Sequence, residues 1–115
     1  MKNQQLESLI TELKKTSIEQ DVKIWKRIAS DLEKPTKQRR AVNLSRIDRY
    51  SKSNEIVVIP GKVLSMGNLN KKVTVVAYTF SKNAISKIKS SGSDAISIQD
   101  LVKKNPKGAK VRIIG

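Results

Sequence analysis

Neither cysteine nor histidine occurs among the 115 residues. Without cysteine there is no disulfide framework and no thiol nucleophile. Without histidine the side chain that titrates nearest neutral pH is missing, and losing both residue types removes the common transition-metal ligands. Aromatic residues are 3% of the chain, namely Trp25, Tyr50, Tyr78 and Phe80; that is too few for the stacking platforms of a single-strand nucleic-acid binder. Carboxylates are also scarce, ten against 24 Lys and Arg, and six of the ten lie in residues 1–33, where pairing and capping account for them. Asp94 and Asp100 stand near a turn and a helix start, where capping is again the better account. Neither a GxSxG elbow nor a GxxxxGK[ST] loop is present, although Lys62 follows Pro60-Gly61. No acid–base pair remains to be assigned, so no catalysis, metal, cofactor or small-molecule substrate is expected. No apolar run is long enough to cross a bilayer. The stretch MKNQQLESLITELKK mixes both charge signs and lacks the unbroken apolar core of a signal peptide. A cytoplasmic location is expected.

What the chain does have is positive charge, a net +14 with a pI of about 10.3. Such a balance says little about fold, but it calls for a polyanionic partner. The charge is unevenly spread. Residues 1–33 hold six cations and six carboxylates, whereas residues 34–52, KPTKQRRAVNLSRIDRYSK, hold seven cations against Asp48 alone. Residues 81–115 hold eight against two. A chain basic only for solubility has no reason to be neutral at one end and crowded in the middle.

A single basic run reads first as a solvated loop. This one stands beside Lys71-Lys72 and KKNPKGAKVR (103–112), and the three together favour nucleic acid. Arginine's planar fork matches phosphate, and interleaved polar residues donate to phosphate, sugar or base edges. The candidate RNA-contacting residues in the central segment are Lys34, Lys37, Arg39, Arg40, Asn43, Arg46, Arg49 and Lys52, with Arg39-Arg40 the tightest pair. Lys62, Lys71, Lys72, Lys104, Lys107, Lys110 and Arg112 complete the set. Few aromatics and much charge favour folded RNA or a duplex, held through backbone and shape.

Apolar spacing sets the fold. Leu6, Leu9, Ile10 and Leu13 form one helical stripe and Val22, Trp25, Ile28, Ala29 and Leu32 a second. Ser17 with Gln20 reads as a capping box between them, and Pro35 stops the second helix. Trp25 reads as a core anchor between the helices. In the central segment, Ser45 and Asp48 are expected to cap one turn, NLSRID, that points Arg46 and Arg49 to one side. Val42, Leu44 and Ile47 are expected to anchor it. Strands are expected at IVVIP (56–60), VTVVAYTF (73–80), AISI (95–98) and VRII (111–114). Ile59-Pro60-Gly61-Lys62 fits a type II turn with Gly61 at positive φ, and GNLNKK (67–72) is a loop. Ser81 caps a helix carrying Ala84, Ile85 and Ile88 that ends near Gly92, and Ser97 with Asp100 caps another that stops at Asn105-Pro106. The class is α+β. A helical hairpin (1–33) and a basic segment (34–52) precede a β-β-α-β-α-β globular unit (53–115).

AVNLSRIDRYSK, VVIPGKVLSMGNL, KVTVVAYTFS and NPKGAKVRIIG, in this order, resemble the archaeal large-subunit ribosomal proteins of the "eighteen-e" family, related to the bacterial "fifteen" family. The likeness covers nearly the whole chain, including the tryptophan-bearing hairpin and KPTKQRR. It implies a structural role in the ribosome, contact with large-subunit rRNA and no catalysis. It also implies a core of irregular β-β-α superhelical turns. Neighbouring ribosomal proteins are expected to meet the helical hairpin. The alternative is a free-standing DNA-binding or chromatin-coating protein, since phosphate charge does not distinguish DNA from RNA. Nothing, however, reads as a basic recognition helix. An anionic-membrane module would carry cations along its polar helix face, and residues 1–33 are neutral, so no membrane partner is expected.

Overall fold

The computed structural model describes residues 4–35 and 40–114, with the side chain of Arg40 left out. These residues form two compact units. One comprises the chain up to residue 39 together with Gln99–Ala109, and the other comprises Arg40–Ile98 together with the residues from Lys110 onward.

The first unit is built on α1 (Gln4–Gln20) and α2 (Lys23–Glu33). The two sequence stripes supply its core: Leu6, Leu9, Ile10, Leu13, Trp25, Ile28, Ala29 and Leu32 are all buried, whereas Val22, expected in the second stripe, precedes α2 and is half-buried. The expected capping box is not there. α1 runs on through Ser17 to Gln20, and the Ser17 hydroxyl donates to the Val22 carbonyl at 2.7 Å. Ser17 thus closes the end of α1, while α2 starts behind Val22 without a side-chain cap. Asp21, at φ 54°, makes the turn between them. Three cations of this unit pair with carboxylates at the surface, Lys14–Glu33 at 2.9 Å, Lys15–Glu19 at 3.8 Å and Lys34–Asp31 at 3.2 Å. Exposed pairs of this kind contribute little stability. Leu101 and Val102 of α5 (Ile98–Lys104) are buried.

The second unit is a five-stranded sheet. Its strands are β1 (Arg40–Asn43), β2 (Ile56–Leu64), β3 (Thr74–Phe80), β4 (Asp94–Ser97) and β5 (Val111–Ile113), and the helices α3 (Leu44–Tyr50) and α4 (Lys82–Ser90) interrupt them. Every pairing among them is parallel, in the order β1-β2-β3-β4, with β5 also on β2. β3 lines one edge of β2 along its length. The other edge is shared: β5 pairs with Ile56–Val58 and β1 with Gly61–Leu64. Parallel strands are typically covered on both faces, which explains why the β-branched runs of β2 and β3 do not alternate. Val57, Val58, Ile59, Val75, Val76 and Ala77 are all fully buried. Val57, Ile59, Val75 and Ala77 pack with Leu44, Ile47, Ala84 and Ile88.

The type II turn expected at Ile59–Lys62 is absent. β2 continues through Pro60-Gly61, and Gly61 pairs with Arg40. From Ile59 to Lys62 is one residue more than from their β3 partners Ala77 to Thr79. This is a β-bulge, a place in a sheet that tolerates a proline without an N–H. Positive φ occurs instead at Gly67, Gly92 and Gly108. The Ser81 cap is present, its hydroxyl accepting from the Ala84 N–H at 3.2 Å.

Candidate nucleic-acid interface

α3 is a short amphipathic helix whose burial follows its sequence. Leu44 and Ile47 are fully buried, and Arg46, Arg49 and Tyr50 face outward. With Val42, also buried, they anchor the segment as expected. The capping differs from expectation, because the helix begins at Leu44 behind Asn43 and Ser45 therefore lies inside it. Asn43 accepts the Met66 N–H at 3.2 Å, and the Ser45 N–H donates to the Met66 carbonyl at 3.1 Å. Asp48 accepts the Asn70 N–H at 2.8 Å. These polar groups fasten α3 to the β2–β3 connection. The guanidinium carbons of Arg46 and Arg49 lie 5.1 and 5.6 Å from the Tyr50 ring centroid, within cation–π range. α3 therefore presents two forked cations beside a half-exposed ring.

Lys71 and Lys72, alike in sequence, have different environments. Lys72 is exposed. The Lys71 ammonium donates to the Asp48 carbonyl and, at 2.7 Å, to the Ser51 carbonyl. It thus meets the carbonyls at the C-terminal end of α3, which the helix leaves without intrahelical donors. Lys71→Met is expected to destabilise the protein by about 1.5–3 kcal/mol, the range for hydrogen bonds to a charged group. Lys72→Ala is expected to stay within about 0.5 kcal/mol of the parent. Thermal melts compare them, and equal midpoints would show that the Lys71 ties contribute nothing.

Lys62 stands in an exposed rung of the sheet between Ala41 on β1 and Thr79 on β3. Lys52, Lys110 and Arg112 are exposed around Glu55 or close to it in sequence. The Glu55 carboxylate accepts from Arg112 Nε at 2.9 Å and from the Lys52 backbone N–H. The Arg112 hydrogen bond, followed by that of Lys52, holds its pKa below the ordinary glutamate value. Arg112 is therefore already partly matched within the protein. Lys87, which the sequence reading passed over, donates to the Ser65 and Gly67 carbonyls at 2.9 and 3.1 Å. Nothing local in the sequence marks that reach.

In the first unit Lys34 pairs with Asp31, and Lys104 and Lys107 are exposed. Lys37 and Arg39 lie outside the described residues, and for Arg40 only the place on β1 is described. Among the described residues, no helix is long and apolar enough to cross a membrane.

A pair of packed helices and a buried parallel sheet with exposed arginine and lysine define a small basic α+β protein, the class expected from the sequence. The chain belongs to the family described as "Ribosomal protein 60S L18 and 50S L18e", which matches residues 3–115. The resemblance drawn from its motifs is thereby borne out. It is 45% identical over 112 residues to the large ribosomal subunit protein eL18 of Methanoregula boonei, covering 97% of this chain and 93% of that one. The protein of the same name from Archaeoglobus fulgidus is 43% identical, with 97% and 96% covered. That from Halobacterium salinarum is 44% identical over 109 residues, with 95% and 93% covered.

Proposed function

We propose that this chain is a structural constituent of the large ribosomal subunit, binding folded large-subunit rRNA through its basic side chains without catalysis. Its partners are then that rRNA and neighbouring large-subunit proteins, with the α1–α2 pair as the protein-facing part, and its place is the ribosome in the cytoplasm. The observation that carries the reading is α3, where Arg46 and Arg49 are exposed on a helix whose other face is fully buried. Relatives bearing the name of a large-subunit protein support it. Residues 34–52 supply the main contact, because phosphates provide the counter-charge that this stretch lacks.

The native protein is expected to cosediment with large-subunit particles in a sucrose gradient. Binding to protein-free large-subunit rRNA is expected to weaken with salt. Replacing both Arg46 and Arg49 by Ala should flatten the log–log salt slope by about 0.7–0.9 per lost phosphate contact. An unchanged slope would remove α3 from the interface. Equal affinity for random duplex DNA at matched salt would favour the chromatin-coating alternative.

A further inference from the structure

The turn after α5 is fixed more firmly than an exposed four-residue loop requires. The Gly108 N–H donates to the Asn105 carbonyl at 2.9 Å, which makes Asn105-Pro106-Lys107-Gly108 a closed β-turn. The Asn105 side chain donates to the Ala109 carbonyl at 2.9 Å and accepts the Ala109 N–H at 3.3 Å. The Trp25 indole N–H, 81 positions away in sequence, donates to the Pro106 carbonyl at 2.6 Å. Gly108, at φ +65°, sits so close to α2 that a Cβ there would lie 2.9 Å from Ile24 Cγ2 and 3.2 Å from Val22 Cγ1. What these ties hold outward is Lys107, at the third position of the turn and exposed.

Lys103 and Lys104, close by and exposed, have an ordinary explanation in the last turn of α5, where cations balance the helix dipole. Lys107 lies beyond the helix, and no such account covers it. Residues 101–109 hold three cations and no carboxylate, and Ala109 is the one apolar residue this stretch leaves exposed. A protein-binding surface usually has an apolar centre; a phosphate contact needs only a cation in the right place. Fixing the backbone beforehand removes the cost of ordering it from the binding step.

We propose that the Asn105–Gly108 turn is a second rRNA-phosphate contact, carried by the helical unit rather than the sheet, with Lys107 as the contacting cation and Trp25 as its positioning residue. This rests on the rRNA-binding reading above and adds to it a contact on the unit that also holds residues 1–33, whose own charges balance.

The test uses the full chain and protein-free large-subunit rRNA, with affinity measured across a salt series. Lys107→Gln is expected to reduce the log–log slope by about 0.7–0.9 and leave the melting curve unchanged. Trp25→Phe keeps an aromatic body and removes the indole N–H. It should weaken binding in the parent but have no further effect in the Lys107→Gln background, because the two residues then act as one unit. If Trp25→Phe is unfolded at the assay temperature, Asn105→Ala loosens the same turn without touching the helices. A parent-like slope for Lys107→Gln overturns the contact, and equal losses in both backgrounds overturn the positioning role. If Arg46→Ala and Arg49→Ala lower the slope while Lys107→Gln does not, only this inference fails. If none of the three lowers it, the rRNA-binding reading fails with it.

Discussion

Trp25→Ala is expected to lower the stability of the protein by about 3–5 kcal/mol, the range for removing a buried large aromatic from a core. The ring is fully buried. It does two jobs that alanine cannot share. Its body lies within the Leu and Ile stripes of α1 and α2, and its N–H satisfies the Pro106 carbonyl at 2.6 Å. The substitution leaves a cavity and also an acceptor without its donor. Urea denaturation of parent and variant gives the difference directly. A loss below about 1 kcal/mol would mean that the ring is not a core anchor in solution.

Gly67→Ala is expected to cost about 2–5 kcal/mol, made up of a positive-φ penalty of about 1–2 and an overpacking penalty of about 1–3. The backbone at Gly67 has φ +90°, and a Cβ there would come within 2.5 Å of the Ser45 Cβ and 2.9 Å of the Ser45 backbone. No flexible side-chain end is available to yield, since the obstacle is the start of α3 itself. The Gly67 carbonyl also accepts the Lys87 ammonium at 3.1 Å, so moving this backbone disturbs α3 and α4 together. Gly61→Ala is the control. Gly61 lies in β2 and is not among the positive-φ residues, so its substitution is expected to cost less. If the two variants melt alike, the contact with Ser45 is not what makes glycine necessary at 67.

These two glycines show which parts of the fold could be read from the chain. Pro60-Gly61 has the local chemistry of a turn, and local chemistry was overruled there by parallel pairing to β1 on one side and β3 on the other. Gly67 sits in an undistinguished polar loop, and its requirement comes from Ser45, far away in sequence. Patterns within one element were legible. The stripes of α1 and α2, the Ser81 cap, the β-branched runs of β2 and β3 and the anchoring of α3 by Leu44 and Ile47 all depend on near neighbours. β1 was not legible, since RAVN in a basic stretch becomes a strand only because the second half of β2 offers it an edge. At the candidate interface, charge located the segment but not the geometry. Lys71 and Lys72 look identical in sequence, yet one holds α3 carbonyls and the other faces solvent. The tie between Trp25 and Pro106 had no sequence signal, because both residues already had adequate local explanations.

The shared edge of β2 has a consequence for the order of events in folding. β3 reaches β2 through a short connection, and β1 reaches it across α3, but β5 must arrive from much farther along the chain. The same late stretch delivers α5 and the Asn105–Gly108 turn to the helical unit. Helical turns and local pairings form within microseconds, whereas pairings distant in sequence slow folding far more than they cost in stability. The two units are therefore expected to wait on one event, the arrival of residues 99–114. Until then the backbone N–H and C=O groups of Ile56–Val58 lack their β5 partners, and that half of β2 is an open strand edge on which a second chain could template.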